Sequence, residues 1–343
     1  MEKANINWTD LTFAYMKTDC HLEYYYRNGK WDEGTVVEGD QVTLSIAASC
    51  LHYGQECFEG LKVFEDKNGD ALVFRVDENA KRMKHSAETL MMEAFPEEKF
   101  IEAVLRLVKL NKRFIPPYGS GSSLYIRPVM LGVSGLVGVK PSDDYLFMIF
   151  CTPVGPYFPT GLKPIKLLVE ETWDRAAPEG VGHAKAGGNY AAGLRVSKKV
   201  KELGYAEALY LDAKQKKYID ESGPANFFAI TKEGKYVTPK SSSILASITN
   251  KSLMALAKDM GMEVEQRPVE ITEMGNFKEA GCCGTAAVIT PVKSITYKNE
   301  TVTLAEGDTV GPIVTGLYNK LTGIQSGDEE DTHGWVRKIS LND

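Results

Sequence analysis

The most apolar run of the chain, Tyr145–Val154, is half the length of a membrane-crossing helix, which needs about 20 apolar residues. A proline- and glycine-bearing stretch, GPYFPTGLKP, follows it directly. A short apolar run that ends in this way reads as a buried strand, and the stretch behind it as a crossing between two folded bodies. The expectation is a small domain over residues 1–155, an interdomain segment over 156–164, and a larger domain over 165–343. A chain of 343 residues suits two domains at roughly 150 residues each.

Punctuation elsewhere supports mixed secondary structure. Asn28-Gly29 lies between Tyr24-Tyr25-Tyr26 and Trp31, and Asn68-Gly69 between Leu61–Phe64 and Leu72–Arg75. Asn-Gly accepts the positive φ of tight turns, so both are hairpin signals. A helix is expected over Asn79–Phe95 with Asp77 as its cap. A second follows Pro96, with Phe100, Ile101, Val104, Leu105 and Val108 at helical spacing and Pro116-Pro117 ending it. Strands are expected at Ser123–Val133, Tyr145–Val154, Ile165–Val169, Ala208–Leu211, Phe227–Ile230 and Tyr236–Thr238. Further helices are expected near Ala191–Leu203, after Ser247 as far as Gly261, and near Pro312–Leu321. A hairpin should span Gly281–Thr296, and the tail after Ser326 reads as a loose polar end. Strands and helices mixed in both halves mean an α+β or mixed α/β protein of two domains.

Composition excludes whole classes. At 43% hydrophobic and 25% charged the chain is neither disordered, collagen-like nor disulfide-stapled. The net charge is −6 and lysines alternate with acids, so no basic stripe invites nucleic acid. Six cysteines show no C-x-x-C and five histidines no i,i+3 or i,i+4 pair, so reduced thiols and no metal site are expected. The start, MEKANINWTDL, lacks a basic region followed by an apolar stretch. A cytoplasmic protein without a membrane anchor is the expectation.

Four stretches could carry chemistry. Lys185 stands in HAKAGGNY, just before Gly187-Gly188 and five residues before Tyr190. Glycines allow close approach of a bulky ligand, and a desolvated lysine becomes a nucleophilic amine; a turn with an exposed lysine fits equally. Glu221, in YIDESGPANFF, ends a strand before a Gly-Pro turn. It is either a turn acid, like its neighbour Asp220, or the carboxylate that keeps a pyridine nitrogen protonated. SSSILASITNKSL leads hydroxyl residues into a helix, so the amides near Ile248 and Thr249 could meet an anion; an ordinary serine cap would look the same. GCCGTAA adds Thr285 among flexible glycines. Arg82 and Arg127, taken singly, read as salt-bridged surface residues.

Together these elements form a pattern. FEGLKVF at Phe58–Phe64, FRVDENAKRM at Phe74–Met83, SLYIRP at Ser123–Pro128, KAGGNYA at Lys185–Ala191, ESGPAN at Glu221–Asn226 and GTAA at Gly284–Ala287 occur in one order. In them the chain resembles the branched-chain amino-acid aminotransferases, of the class IV (D-amino-acid aminotransferase-like) pyridoxal-phosphate fold, over nearly its whole length. The resemblance implies transamination of L-leucine, L-isoleucine and L-valine with 2-oxoglutarate, giving branched-chain 2-oxo acids and L-glutamate. It implies pyridoxal 5′-phosphate as cofactor, no metal, and a homodimer whose active site lies near subunit and domain interfaces. Lys185 then matches the Schiff-base lysine and proton shuttle, Glu221 the partner of the pyridine nitrogen, and Tyr190 that of the phenolic oxygen. Arg82, the amides of Ile248 and Thr249, and Thr285 match the phosphate cup. Tyr53, Phe58, Tyr125 and Tyr157 match the substrate wall, with Arg127 tethering it, and the amides of Ala286 and Ala287 suit the substrate carboxylate.

Two departures stand out. Pro224 replaces the threonine or glutamate often found after the glutamate, so one hydrogen bond of that shell is absent or passes through water. Thr290 and Lys293 occupy the places of a redox C-x-x-C found in some eukaryotic members, so no thiol switch is expected; adjacent Cys282 and Cys283 do not replace it. The rival readings are another class IV enzyme, such as a D-amino-acid aminotransferase or aminodeoxychorismate lyase, and a non-catalytic binding protein of the same fold.

Overall fold

The computed structural model describes residues 2–158 and 161–341; positions 159 and 160 of the expected interdomain segment lie outside them. Backbone contacts divide the chain into two compact units, the first of Met1–Tyr157, Ala184–Gly187 and Gly323–Asp343, the second of Phe158–His183 and Gly188–Thr322. The expected body of 165–343 therefore gives up two pieces. Strand-type pairing moves both: Ala186 bridges Cys57, and a strand at Val336–Ile339 joins the first unit's sheet.

In the first unit the strands are β1 (Cys20–Arg27), β2 (Lys30–Trp31), β3 (Thr35–Glu38), β4 (Glu56–Phe58), β5 (Leu61–Glu65), β6 (Ala71–Phe74), β7 (Ser123–Gly132) and β8 (Tyr145–Val154). The helices are α1 (Ser49–Tyr53), α2 (Val76–Thr89) and α3 (Glu97–Leu110). All pairs are antiparallel, in the order Val336–Ile339, β6, β5, β7, β8, β1, β2, with β3 on β1 and β4 on β7. The Asn28-Gly29 hairpin forms as expected: both residues have positive φ, and Tyr26 pairs with Trp31. Helices α2 and α3 pack together on one face, where Phe95 stacks on Phe147 at 4.0 Å between ring centres.

Helix α2 departs from its expected limits. It begins at Val76, because β6 runs into it through Arg75 alone, held at φ +47. Asp77 thus sits inside the first turn rather than capping it. The helix stops at Thr89, and Met91 at φ +54 turns the chain so that Phe95 enters the core. The tail after Ser326 is not loose either. Its strand pairs Val336 with Phe74 and Ile339 with Ala71, and Ile339 and Leu341 are buried.

The second unit has β9 (Ile165–Glu170), β10 (Glu207–Leu211), β11 (Ile219–Ser222), β12 (Ala225–Thr231), β13 (Tyr236–Pro239), β14 (Val264–Arg267), β15 (Phe277–Gly284), β16 (Val288–Tyr297) and β17 (Glu300–Thr303). Its helices are α4 (Gly188–Ala191), α5 (Leu194–Glu202) and α6 (Ile248–Asp259), with α7 (Pro312–Ser326) following. The sheet runs β11, β10, β9, β16, β15, β12, β13, β14. A further β11–β12 pairing closes six of these strands into a ring. That link is a two-residue turn in which Gly223 takes φ +50; a side chain there would also collide with Glu207.

Candidate active site

The residues singled out above fall into two groups, one in each unit. In the first, the backbone of Lys185 is fixed on both sides: its N–H donates to Ser86 Oγ at 2.9 Å, and its carbonyl accepts from Phe58 N at 3.0 Å. Gly187 donates to Glu56 Oε1 at 2.5 Å, and a Cβ there would strike that carboxylate. The space beside Gly187 is thus also taken by a protein side chain, a constraint the sequence reading did not include. Burial raises the Glu56 carboxyl, and the Gly187 N–H offsets part of that rise.

These bonds aim the lysine. Its Nζ lies 4.7 Å from the centre of the Phe58 ring, and the Arg127 guanidinium lies 4.8 Å from the same centre. Arg127 Nη2 donates to Tyr125 OH at 3.0 Å. Phe13 meets Tyr125 edge-on at 5.3 Å and Tyr157 at 6.4 Å, so the aromatic wall continues through a residue that sequence reasoning did not name. Tyr53, at the end of α1, instead donates its hydroxyl to the Val137 carbonyl.

Arg82 makes a two-pronged pair with Glu59, Nε to Oε1 at 2.6 Å and Nη2 to Oε2 at 2.8 Å. It is no surface ion pair: Glu59 is fully buried and also accepts from Asn79 at 2.7 Å. Burial pushes the Glu59 carboxyl up, but Arg82, Lys185 and Asn79 outweigh it and hold the group below the ordinary range. Glu59 occupies an unassigned place of the FEGLKVF motif; an acid among apolar neighbours was the available signal. Lys62 in the same motif was also passed over. It is buried across from Tyr125, on the face opposite core residues Leu61 and Val63, and burial brings its amine down to about 8.

In the second unit Glu221 is buried. Its Oε1 accepts from Leu245 N at 2.6 Å and Asn226 Nδ2 at 2.9 Å, while Oε2 lies 3.1 Å from Arg175 Nε. Asp220, one residue back, points the other way, as strand alternation requires, and accepts from Ser241 and Ser243 at 3.0 and 2.9 Å. Burial raises its carboxyl against those two hydroxyls. Tyr190 and Glu221 line one cavity of about 300 Å³ with Arg175, Glu207, Tyr210 and Pro224. Burial raises the Glu207 carboxyl there and pushes the Tyr210 hydroxyl up to about 12.

Helix α6 begins beside this group. Ser247 Oγ caps it by accepting from Asn250 N at 3.1 Å, and Ile248 and Thr249 form its buried first turn. First-turn amides have no partner within their own helix and carry the positive end of its dipole. Strand β15 packs against α6, and Thr285, Ala286 and Ala287 form the turn from β15 into β16. Val288 closes that turn at φ +63, a strained conformation for a β-branched residue. A buried carboxylate, a tyrosine, a helix N-terminus and a hydroxyl-bearing turn within one unit make a donor set for a phosphorylated heteroaromatic ring.

Residues 56–295 match the family Amino-transferase class IV. The chain belongs to that family. Among relatives of this class IV chain, a branched-chain-amino-acid aminotransferase of Helicobacter pylori is 45% identical over 337 residues, 98% of each protein. One of Haemophilus influenzae is 44% identical over 341 residues, 98% of this chain and 99% of its own length. The fold matches the branched-chain amino acid aminotransferase from Escherichia coli with a TM-score of 0.75 and 28% identity, covering 95% of this chain and 100% of that one. It also matches the branched-chain amino acid aminotransferase of Thermoproteus uzoniensis, solved with norvaline, with a TM-score of 0.75 and 23% identity over 93% of this chain and 100% of that one; at that identity the likeness speaks to fold alone. Among the described residues of this class IV amino-transferase, no cluster of three His, Cys, Asp or Glu could hold a metal ion. No described helix is long and apolar enough to cross a membrane.

Proposed function

We propose that this chain transfers the amino group of L-leucine, L-isoleucine and L-valine to 2-oxoglutarate, using pyridoxal 5′-phosphate. The observation that carries the reading is Lys185, backbone-locked with its amine on an aromatic wall, in a chain 45% identical to a relative named for branched-chain substrates. The residues present fit the cofactor. Glu221 is a buried acid on a cavity shared with Tyr190, and a cavity of about 300 Å³ is of ligand size. The α6 N-terminus suits a phosphate dianion.

Bound there, the cofactor supplies an electron sink for the substrate carbanion. The rest falls to the protein. Glu221 favours a proton on the ring nitrogen, and Tyr190 bonds the phenolic oxygen. Arg82, the amides of Ile248 and Thr249, and Thr285 bind the phosphate. Lys185 Nζ takes the Cα proton and returns it on the other side of the exchange. Phe58, Tyr125 and Tyr157 exclude water and receive the branched side chain, and Arg127 steadies Tyr125. The amides of Ala286 and Ala287 receive the substrate carboxylate.

The same reading makes the protein a cytoplasmic homodimer. In support, Ile46, Leu51, Val137 and Val139 are 90, 60, 88 and 83% exposed, and the Ala48–Gly135 bridge brings their loops together into an apolar patch of the kind that marks an interface. The test is a spectrum of the purified protein before and after L-leucine, followed by kcat/KM for a substrate set. Leucine, isoleucine and valine should exceed alanine and aspartate, since each methylene in an apolar pocket is worth about 1–3 kcal/mol. Faster turnover of D-alanine than of L-leucine would assign the chain to the D-amino-acid branch instead.

A further inference from the structure

Arg175 lies outside every motif named in the sequence, yet its guanidinium is buried beside Glu221. Its Nη2 donates to two carbonyls, that of Gly182 at 3.0 Å and that of Ser243. Gly182 has to be glycine, since a Cβ would meet the Ser243 carbonyl and the Arg175 fork. The Arg175 Nε–H is buried and, among the described residues, has no acceptor in line for a hydrogen bond, although Glu221 Oε2 is 3.1 Å away as its ion-pair partner. Glu221 is thereby held at three points: Oε1 by Leu245 N and Asn226, Oε2 by the charge of Arg175. A planar fork fixed at two backbone carbonyls has little freedom left, so it sets the plane of the carboxylate it faces.

We propose that Arg175 is the positioning residue for Glu221, holding that carboxylate in the orientation from which it meets the nitrogen of a heteroaromatic ring in the Tyr190–Glu221 cavity. The inference rests on the reading of Glu221 as the ring-nitrogen partner. In this role Arg175 acts through Glu221, so its effect has to appear in recognition of that nitrogen.

The experiment measures equilibrium binding to cofactor-free protein, with three probes: pyridoxamine 5′-phosphate, its analogue with carbon in place of the ring nitrogen, and inorganic phosphate. Wild type should prefer the nitrogen-containing ligand to the carbon analogue. Arg175→Gln should shrink that preference by about tenfold or more, the scale of coupling between residues in contact, and leave binding of the analogue and of phosphate nearly unchanged. In a Glu221→Gln background the same change should have no further effect on the preference. Arg175→Lys keeps a charge without the fork and should retain part of the preference; it carries the test if the glutamine variant does not fold. Equal loss for both ring ligands would make Arg175 a general loop brace and overturn the proposal. A full preference in Arg175→Gln would overturn it as well. Absence of the preference in wild type would instead overturn the reading of Glu221, and the inference with it.

Discussion

A lysine whose backbone is bonded at both N–H and C=O can move only its side chain, and that is the condition of Lys185. Lys185→Ala should lower single-turnover transfer from leucine by about 10²–10⁴-fold or more, the usual contribution of a general base. Binding of pyridoxamine 5′-phosphate to the cofactor-free variant should persist, since the phosphate and ring contacts proposed above lie on other residues. Glu59 is the second residue to test. Its carboxyl is held below the ordinary range in the folded state. The stability it contributes is therefore complete above the unfolded value of about 4.3. It is lost as pH falls from there through the lower folded value. Glu59→Gln leaves the part-buried Arg82 without its fully buried counter-charge, which should cost up to about 3–5 kcal/mol at neutral pH. Chemical denaturation across pH should show this loss at pH 7 and a flatter acid limb in the variant.

At the scale of elements, helix α6 and the α2–α3 layer carry different loads. Ser247 is a buried cap satisfying Asn250 N, and Ser247→Ala should cost about 1 kcal/mol. Because the same first turn is assigned to phosphate, inorganic phosphate should also bind more weakly to the variant, which a calorimetric titration would show. Phe147 is fully buried, stacked on Phe95 and 5.8 Å from Phe100; Phe147→Ala should cost about 3–5 kcal/mol in denaturant unfolding. Elements whose periodicity is strong were legible: β7, β8, α3 and α6 fall within a few residues of expectation. Strand β14, only four residues with exposed Gln266 and charged neighbours, carries no such pattern. It exists because β13 offers it a parallel partner.

For the molecule as a whole, the tail is the instructive case. Its strand covers the outer edge of β6, Lys338 pairs with Asp66 at 2.8 Å, and Leu341 enters the core. A chain ending at Asp331 should melt several degrees lower and aggregate, since an apolar strand edge and core surface become exposed; thermal scans with light scattering would detect both. The hairpin turns, the amphipathic helices, the lysine and glutamate motifs and the family itself follow from local order along the chain, because φ preferences, periodicity and short motifs are properties of neighbours in sequence. Pairing of Val336 with Phe74, of Arg82 with buried Glu59, and of Arg175 with Glu221 brings together residues 262, 23 and 46 positions apart. No local pattern encodes such partners: a tail of polar residues or a lone arginine looks the same in sequence whether it faces solvent or a buried acid. Tertiary structure alone decided them, because a buried charge has to find its counter-charge and an open strand edge its neighbour wherever the fold brings one within reach.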